Sequence, residues 1–591
     1  MNRVSMPTSK NLLNLAVLTI LAVLLLFVGL GSIGLTDRDE GRNAEAGREM
    51  LETGDWITPT FNYEPRFYKP ALVYWLMSGS YYLFGVDEFA ARFPSALFGI
   101  ALILLQYLFL ARWRDPQTGL FGALMLLLNI EMIGLSRMAL TDSVLVFFTT
   151  AAQLGFWAGL YGEGRSRHWL WCFYAGMGLA TLTKGPVGFI VPLLTVSLYL
   201  SFTGRWKQFW QNGFPLLGTT LFLLVTLPWY ATMLAIHGSS YVTIAKAQTV
   251  GRFMAPMEGH GFGLLFYVPV LLLGFFPWSG FLPMAMYHCI KTWRASRKES
   301  IETAHQPATS NVRPAFGELE LFAALWVVGA FVFFSLSSTK LQHYVAPLFP
   351  AAALLSAAYW HRSLLDSGTK GLRASIHLMM GLGLLLALGC SLIPWAYARF
   401  LPKMLKEFPA AGLLDPSAAD AGPYVAAMVL LVGMALVGYC GLHEQRRPGA
   451  FWAAGATLAL VALIAIQLTF PLLNRYFIAP PQELAYAAGL NLGSADHFVV
   501  YGATRPSTVF YAKRRAIFVP SGEEETIRAT LARPGRTMLL LPESYRANLP
   551  AQADRLIPLL KRYGYLLLAN EPMVTVPEPA LAQPSTPIPG H

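Results

Sequence analysis

Between Leu12 and Pro471 the chain is a succession of apolar runs separated by short polar loops. Several runs, among them Phe93–Trp113 and Ala374–Pro394, approach the roughly 20 residues needed to cross a hydrocarbon core. The pattern predicts an α-helical polytopic membrane protein. Composition agrees: 13% of the residues are charged, about half the share of a soluble domain. The first run, Leu12–Ile33, is longer than a signal-peptide core, and no small-residue cleavage site clearly follows it. It reads as a retained anchor.

The positive loops orient the spans. With Arg3 and Lys10 in the cytoplasm, the first helix exits. Pro70–Gly85 is apolar and aromatic but short. If it does not cross, then Arg112 and Arg114, Arg205 and Lys207, Lys291 and Arg294, Arg362 and Arg373, and Arg446 and Arg447 all fall inside. If it crosses, every one of these clusters faces out. The bias therefore makes Pro70–Gly85 a juxtamembrane helix in the interface. About thirteen spans result. The break between Trp169–Leu182 and Pro186–Phe202 is short, only Thr183–Lys184–Gly185.

Three regions follow: a transmembrane part over 1–473, with an outer loop and juxtamembrane helices at 36–91; a small outer α/β domain over 474–576; and a disordered tail over 577–591, rich in Pro, Ala and Ser. In the α/β domain, His497–Ala503, Thr508–Tyr511, Ala516–Val519 and Met538–Leu541 read as strands. Glu523–Ala532 and Ala551–Tyr563 read as helical. The net charge of +11 is spent on inside loops, which argues against nucleic acid as a partner. The four cysteines lie in or beside apolar runs without metal-ligand spacing.

With this topology, unusual polar residues collect on the outer side. Asp39, Arg42, Glu45, Arg48 and Glu49 follow the first span; Lys69 precedes the interfacial helix; Asp142, Lys184, Arg252, Glu258, His260, Lys340 and Tyr344 occupy later outer breaks. Part of this is ordinary. Acids and bases at helical spacing over Asp39–Glu52 stabilise an exposed helix, so Glu49 and Glu52 read as solvated scaffolding. Asp39 is different, because it sits just past the membrane boundary, where a lipid-carried head group would lie. A lipid-phosphate donor needs cations for its leaving group, which Lys69, Lys184, Arg252 and Lys340 could supply. The positive charge developing at the sugar, and a hydroxyl acceptor, call for carboxylates, for which Asp39 and Asp142 are the best-placed candidates.

The string Asp39-Glu40-Gly41-Arg42-Asn43-Ala44-Glu45, with Gly54-Asp55-Trp56 beyond it, resembles the first outer loop of the aminoarabinose-transferase-like (ArnT-like) family. This family is related to the protein mannosyltransferases and has the multi-span GT-C fold. Tyr68-Lys69-Pro70 with Tyr74-Trp75, Thr183-Lys184-Gly185, Pro228-Trp229, Arg252-Phe253 with Glu258-Gly259-His260, and Ser338-Thr339-Lys340-Leu341 with Tyr344 continue the likeness in order. The resemblance implies a glycosyltransferase of the bacterial inner membrane with a periplasmic active site. It implies an undecaprenyl-phosphate-linked sugar as donor and lipid A, an envelope glycan or a protein as acceptor. It places catalytic carboxylates at Asp39 and Asp142 and the donor-phosphate lysine at Lys69. Arg42, Lys184, Arg252, His260, Lys340 and Tyr344 become further substrate contacts. Two positions depart from the family: Tyr68 and Asn43 stand where Glu and Tyr are typical. Loss of the acid at 68 weakens a metal site, since His260 alone is a poor ligand set; no cofactor is required, and a divalent metal stays open. The rival readings are a protein O-mannosyltransferase and, from another class, a transporter or flippase. The latter would carry polar residues near the midplane in two related halves, whereas here charge lies at the outer margin.

Overall fold

The computed structural model describes residues 9–162, 167–257, 259, 261–302, 317–365, 370–414, 416–502 and 504–575. Among the described residues, eight helices are long and apolar enough to cross a membrane, and two further pairs, Pro116–Leu127 with Ile130–Ser136 and Leu264–Gly274 with Trp278–Ala295, are bent by 67° and 116°. The shorter helices Trp169–Lys184, Val187–Thr203 and Phe349–Leu365 pack among them. The chain is a multi-pass membrane protein.

Local chemistry explains the elements near the first loop. Ser9–Phe27 buries Leu18, Ala22 and Leu26, an i, i+4 stripe, against Glu88–Trp113. Glu88–Trp113 is N-capped by Asp87, whose side chain accepts from the Ala90 amide. Asp142–Tyr161 packs closely on Trp169–Lys184 because glycines line the contact. A Cβ at Gly155 would lie 2.8 Å from the Trp169 carbonyl oxygen, and one at Gly176 2.9 Å from that of Phe148. The expected break at Thr183–Lys184–Gly185 is a turn at Gly185, whose φ of +78° favours glycine.

Helix Leu72–Phe84 has 13 residues, about 20 Å at 1.5 Å per residue and too short to cross. It packs instead on helix Asp39–Thr53. That helix is not the exposed scaffold expected from its charges. Glu45, Arg48 and Glu49 are buried, Glu49 completely. The helix lies between Leu72–Phe84 and helix Ser507–Ala512 of the C-terminal region, and a short hairpin, β1 (Thr60–Phe61) and β2 (Glu64–Pro65), leans on its end. Covered on these sides, its charges must pair internally: Arg48 bridges Glu45 and Glu52, and Glu49 accepts from the Tyr63 amide. Only Glu52 keeps a solvated role.

The last long helix runs from Glu444 to Asn491, passing the compositional change at Asn474 without a break. Beyond it stands a five-stranded sheet: β3 (His497–Tyr501), β4 (Ala516–Val519), β5 (Thr537–Pro542), β6 (Ile557–Arg562) and β7 (Tyr565–Ala569), in the order β4-β3-β5-β7-β6. β3 is parallel to β4 and β5, while β7 is antiparallel to β5 and β6. Alternate residues feed two cores, Phe498, Val500 and Leu540 on one face and Val499, Tyr501 and Leu539 on the other. Two sequence expectations fail here. Thr508–Tyr511 lies in a helix, because its β-branched and aromatic side chains pack between the sheet and the first loop, and tertiary packing overrides propensity. Ala551–Tyr563 is a 3₁₀ turn followed by strand β6, paired to a β7 that the sequence reading omitted. The tail over 577–591 lies outside the described residues.

Candidate active site

One cavity of about 900 Å³ reaches from the first loop into the helices. Its polar end is built from four segments. Helix Asp39–Thr53 contributes Asp39 and Arg42, the loop before Leu72–Phe84 contributes Arg66, Tyr68 and Lys69, and Arg252 and Tyr344 close it from the other side. Its other end is apolar, with Leu135, Val270, Leu273, Leu430 and Leu458. Such a cavity matches an amphiphile with a charged head and a hydrocarbon tail.

Asp39 opens onto this cavity. Burial works against its carboxylate, but the charges of Lys69, Arg66 and Arg42 outweigh that and hold it below the usual carboxylate range. Lys69 shows the converse. Burial and the nearby Lys184 charge pull its ammonium down to about 7, despite Asp142 and Asp39. It is thus poised between charged and neutral near physiological pH. Arg66 is fixed by donating to the Arg42 carbonyl, Asn43 Oδ1 and the Tyr74 hydroxyl at 3.1–3.2 Å. Asn43, where the family typically has Tyr, also donates to the Ala139 carbonyl at 3.1 Å and so ties the first loop to the segment before Asp142. Tyr68, in place of an acid, lines the cavity with 45% of its surface exposed.

Asp142 and Lys184 form a pair behind the polar end, Nζ to Oδ1 2.6 Å. Tyr344 links the two layers. The Lys184 ammonium lies 4.8 Å from its ring centre, and its hydroxyl accepts from Arg252 Nη1 at 3.2 Å. His343 stands 4.0 Å from Asp142, beyond hydrogen-bond reach, and burial keeps it neutral by pulling it down to about 4. The structure therefore brings Asp39, Arg42, Lys69, Arg252 and Tyr344 to one cavity and sets Asp142 and Lys184 beside it.

Lys340 is the exception. It is 4% exposed, its ammonium donates to the Ser337 carbonyl at 2.5 Å, and it faces a separate small hollow near Phe262. The Ser338-Thr339-Lys340 motif acts as a strap: the Ser338 and Thr339 amides donate to the Phe253 and Arg252 carbonyls, which fixes the segment that presents Arg252. His260 and Glu258, the latter part of the same loop likeness, lie outside the described residues. Among the described residues no group of three or more His, Cys, Asp or Glu converges on a metal position. The sequence reading missed Gln248, which accepts from Arg252 Nε at 2.7 Å, and Glu131, which lines the cavity. An acid inside an apolar run is itself a signal, and Glu131 carried it.

The family model described as dolichyl-phosphate-mannose-protein mannosyltransferase matches residues 16–240. An undecaprenyl phosphate-α-4-amino-4-deoxy-L-arabinose arabinosyl transferase of Pseudomonas paraeruginosa is 30% identical over 443 residues, 74% of this chain and 72% of that protein. A protein of the same name from Edwardsiella ictaluri is 29% identical over 478 residues, covering 80% and 79% of the two chains. The crystal structure of ArnT from Cupriavidus metallidurans bound to undecaprenyl phosphate superposes with a TM-score of 0.73 at 22% identity, over 96% of this chain and 99% of that one. The fold is therefore GT-C.

Proposed function

We propose, from the premise that this chain belongs to the undecaprenyl phosphate-aminoarabinose arabinosyl transferase family, that it moves 4-amino-4-deoxy-L-arabinose from undecaprenyl phosphate to lipid A at the periplasmic face of the inner membrane. The observation that carries the reading is the placement of Asp39, Lys69 and Arg252 at the polar end of a cavity whose other end is apolar. The polyprenyl chain lies along the apolar wall and its phosphate meets Lys69 and Arg252.

In the reaction the bond from the sugar's anomeric carbon to the phosphate oxygen breaks, and a bond from that carbon to an acceptor oxygen forms. The departing phosphate gains charge, which Lys69 and Arg252 stabilise more in the transition state than in the bound donor. The sugar gains oxocarbenium character, which the Asp39 carboxylate counters. With a hydroxyl acceptor Asp39 also takes the proton; with an ionised phosphate acceptor it orients the incoming oxygen. The Asp142–Lys184 pair acts one layer back. It tunes Lys69 by charge and supports Tyr344. Arg42 lines the polar end beside Asp39 and keeps it ionised.

The test is reconstitution in proteoliposomes with a panel of undecaprenyl-phosphate sugars, including aminoarabinose and a hexose, offered with lipid A or with a peptide acceptor. Release of free undecaprenyl phosphate and the mass of the acceptor are read together. Aminoarabinose on lipid A is the expected product. Turnover of the hexose donor onto peptide, without transfer to lipid A, would assign the chain to protein glycosylation instead.

A further inference from the structure

The acids around the cavity mostly have cations. Glu40 pairs with Arg92 at 2.7 Å, Asp142 pairs with Lys184 at 2.6 Å, and Asp39 is held by the Lys69, Arg66 and Arg42 charges. Glu131 differs. It lines the same cavity, next to residues of the apolar wall, and no described cation pairs with it. Its Oε1 is buried without a hydrogen-bond partner.

The fold aims this carboxyl deliberately. The chain bends by 67° between Pro116–Leu127 and Ile130–Ser136. The bend is fixed by Asn129, whose side chain accepts from the Met132 amide at 2.9 Å. Glu131 follows directly. Opposite it the wall is bare: a Cβ on Gly274 would lie 2.6 Å from Glu131 Oε2. Gly274 has helical backbone and needs no special φ, so what its missing side chain provides is room for the carboxylate. Asp142 is near enough to be felt by Glu131 as a charge, which places the acid beside the polar end of the cavity.

An ionisable group left alone in an apolar wall is expensive and is retained where a ligand completes it. Its complement is a cation or a strong hydrogen-bond donor. A polyprenyl chain offers neither, and a phosphodiester is an anion. The sugar's hydroxyls can donate to it, but of the parts of the donor only an amino group brings the positive charge that neutralises a lone carboxylate. We propose that Glu131, in the space left by Gly274, binds the protonated amino group of the donor sugar and selects amino sugars over their hydroxyl counterparts. This rests on the aminoarabinose reading above.

The experiment compares two donors in purified, reconstituted enzyme: undecaprenyl phospho-4-amino-4-deoxy-L-arabinose and undecaprenyl phospho-L-arabinose, which has a neutral hydroxyl at the same carbon. The native protein should favour the amino donor in kcat/KM. In Glu131→Gln the ratio of kcat/KM, amino over neutral, should fall roughly 10- to 100-fold, the value of one hydrogen bond to a charged group. Gly274→Ala, which crowds the carboxylate without removing it, should lower the same ratio and serves if Glu131→Gln is poorly folded. An unchanged ratio in both variants overturns the assignment, however far the overall rate drops. So does a native enzyme that uses both donors equally. If the native enzyme transfers from neither, the proposed function itself fails.

Discussion

On helix Asp39–Thr53, Asp39 and Glu40 both border the cavity, but Asp39 is left open to it while Glu40, the next residue, is saturated by partners within the protein. Glu40 Oε1 accepts from Arg92 Nε at 2.7 Å and from the Ala139 amide at 2.8 Å, and its Oε2 accepts from the Thr36 amide and hydroxyl and from Arg92 Nη2 at 3.1 Å. Arg92 spends its remaining donors on the Leu30, Ile33 and Gly34 carbonyls. That ion pair is closed, and it joins the end of the first span, the Glu88–Trp113 helix and the segment before Asp142. Around Asp39 nothing is closed. Lys69, Arg66 and Arg42 act on it through space, and no described hydrogen bond saturates it. Adjacent helical positions point about 100° apart, so one face of this helix builds the scaffold and the other presents unsaturated charge to the cavity.

The sharpest way to break this contrast is to neutralise each acid without changing its shape. Asp39→Asn should reduce sugar transfer to near background, with donor binding and thermal stability kept. Glu40→Gln should do the reverse. Its amide cannot match all five donated hydrogen bonds, and Arg92 is left buried and uncompensated, which costs about 3–5 kcal/mol of stability. Detergent thermal melts and transfer assays on the two variants separate the roles. Normal turnover in Asp39→Asn, or an unaltered melt in Glu40→Gln, would collapse the distinction.

The next effect concerns Lys69. Lys69→Met should cost about 2.7–4 kcal/mol in the transition state, or roughly 10²–10³ in rate, as for the loss of one electrostatic stabiliser. Its depressed ammonium adds a pH signature. The folded, unliganded protein releases this proton near pH 7, whereas the unfolded chain holds it to about 10.4. The apo protein therefore gains stability as pH rises through that window, because the unfolded state binds more protons. Donor binding runs the other way. An anionic phosphodiester favours the charged lysine, so above about pH 7 its affinity should weaken by up to about tenfold per pH unit. Kd measured against pH with undecaprenyl phospho-L-arabinose, whose sugar carries no titrating amine, should bend there in the native protein and stay flat in Lys69→Met. A bend that survives the substitution would assign the proton to another group.

How much of this was legible follows from which residues depend on orientation. The helical segments could be read because apolar length is a property of the sequence itself. Asp39 and Lys69 could be read because each sits at a membrane boundary inside a distinctive string. The difference between Asp39 and Glu40 could not, since it depends on how the helix is rotated against Arg92, a partner 52 positions on. Lys340 misled for a related reason: a lysine in an outer turn suggests phosphate, but this turn folds back and uses the ammonium to hold a carbonyl. Helix Ser507–Ala512 was hidden because its apolar residues face both the sheet and the first loop, so neither period stands out. That docking also constrains Asp39's helix. The Ser507 amide donates to Asp37 at 2.8 Å, and a Cβ on Gly41 would meet the Ser507 nitrogen at 2.8 Å.

The smallest effect lies at the far end of the same helix and tests whether burial, rather than charge pairing as such, decides what a residue contributes. Arg48 shares its guanidinium between Glu45, which is fully buried, and Glu52, which is 47% exposed. The distances are alike, 2.8 and 2.6 Å. If distance governed, the two acids would matter equally. If burial governs, water replaces most of what Glu52 offers, and only a weak pair remains. Glu52→Gln should then cost less than about 1 kcal/mol, screened further by salt, because Arg48 keeps Glu45 and the Tyr63 hydroxyl as partners. Glu45→Gln leaves Arg48 short of its buried counter-charge and should cost several times more. Thermal melts of both variants at low and high salt give the comparison. Equal losses would mean that the exposed end of the helix is as much a part of the scaffold as Glu40, and that the division of this helix into a scaffold face and a cavity face is drawn in the wrong place.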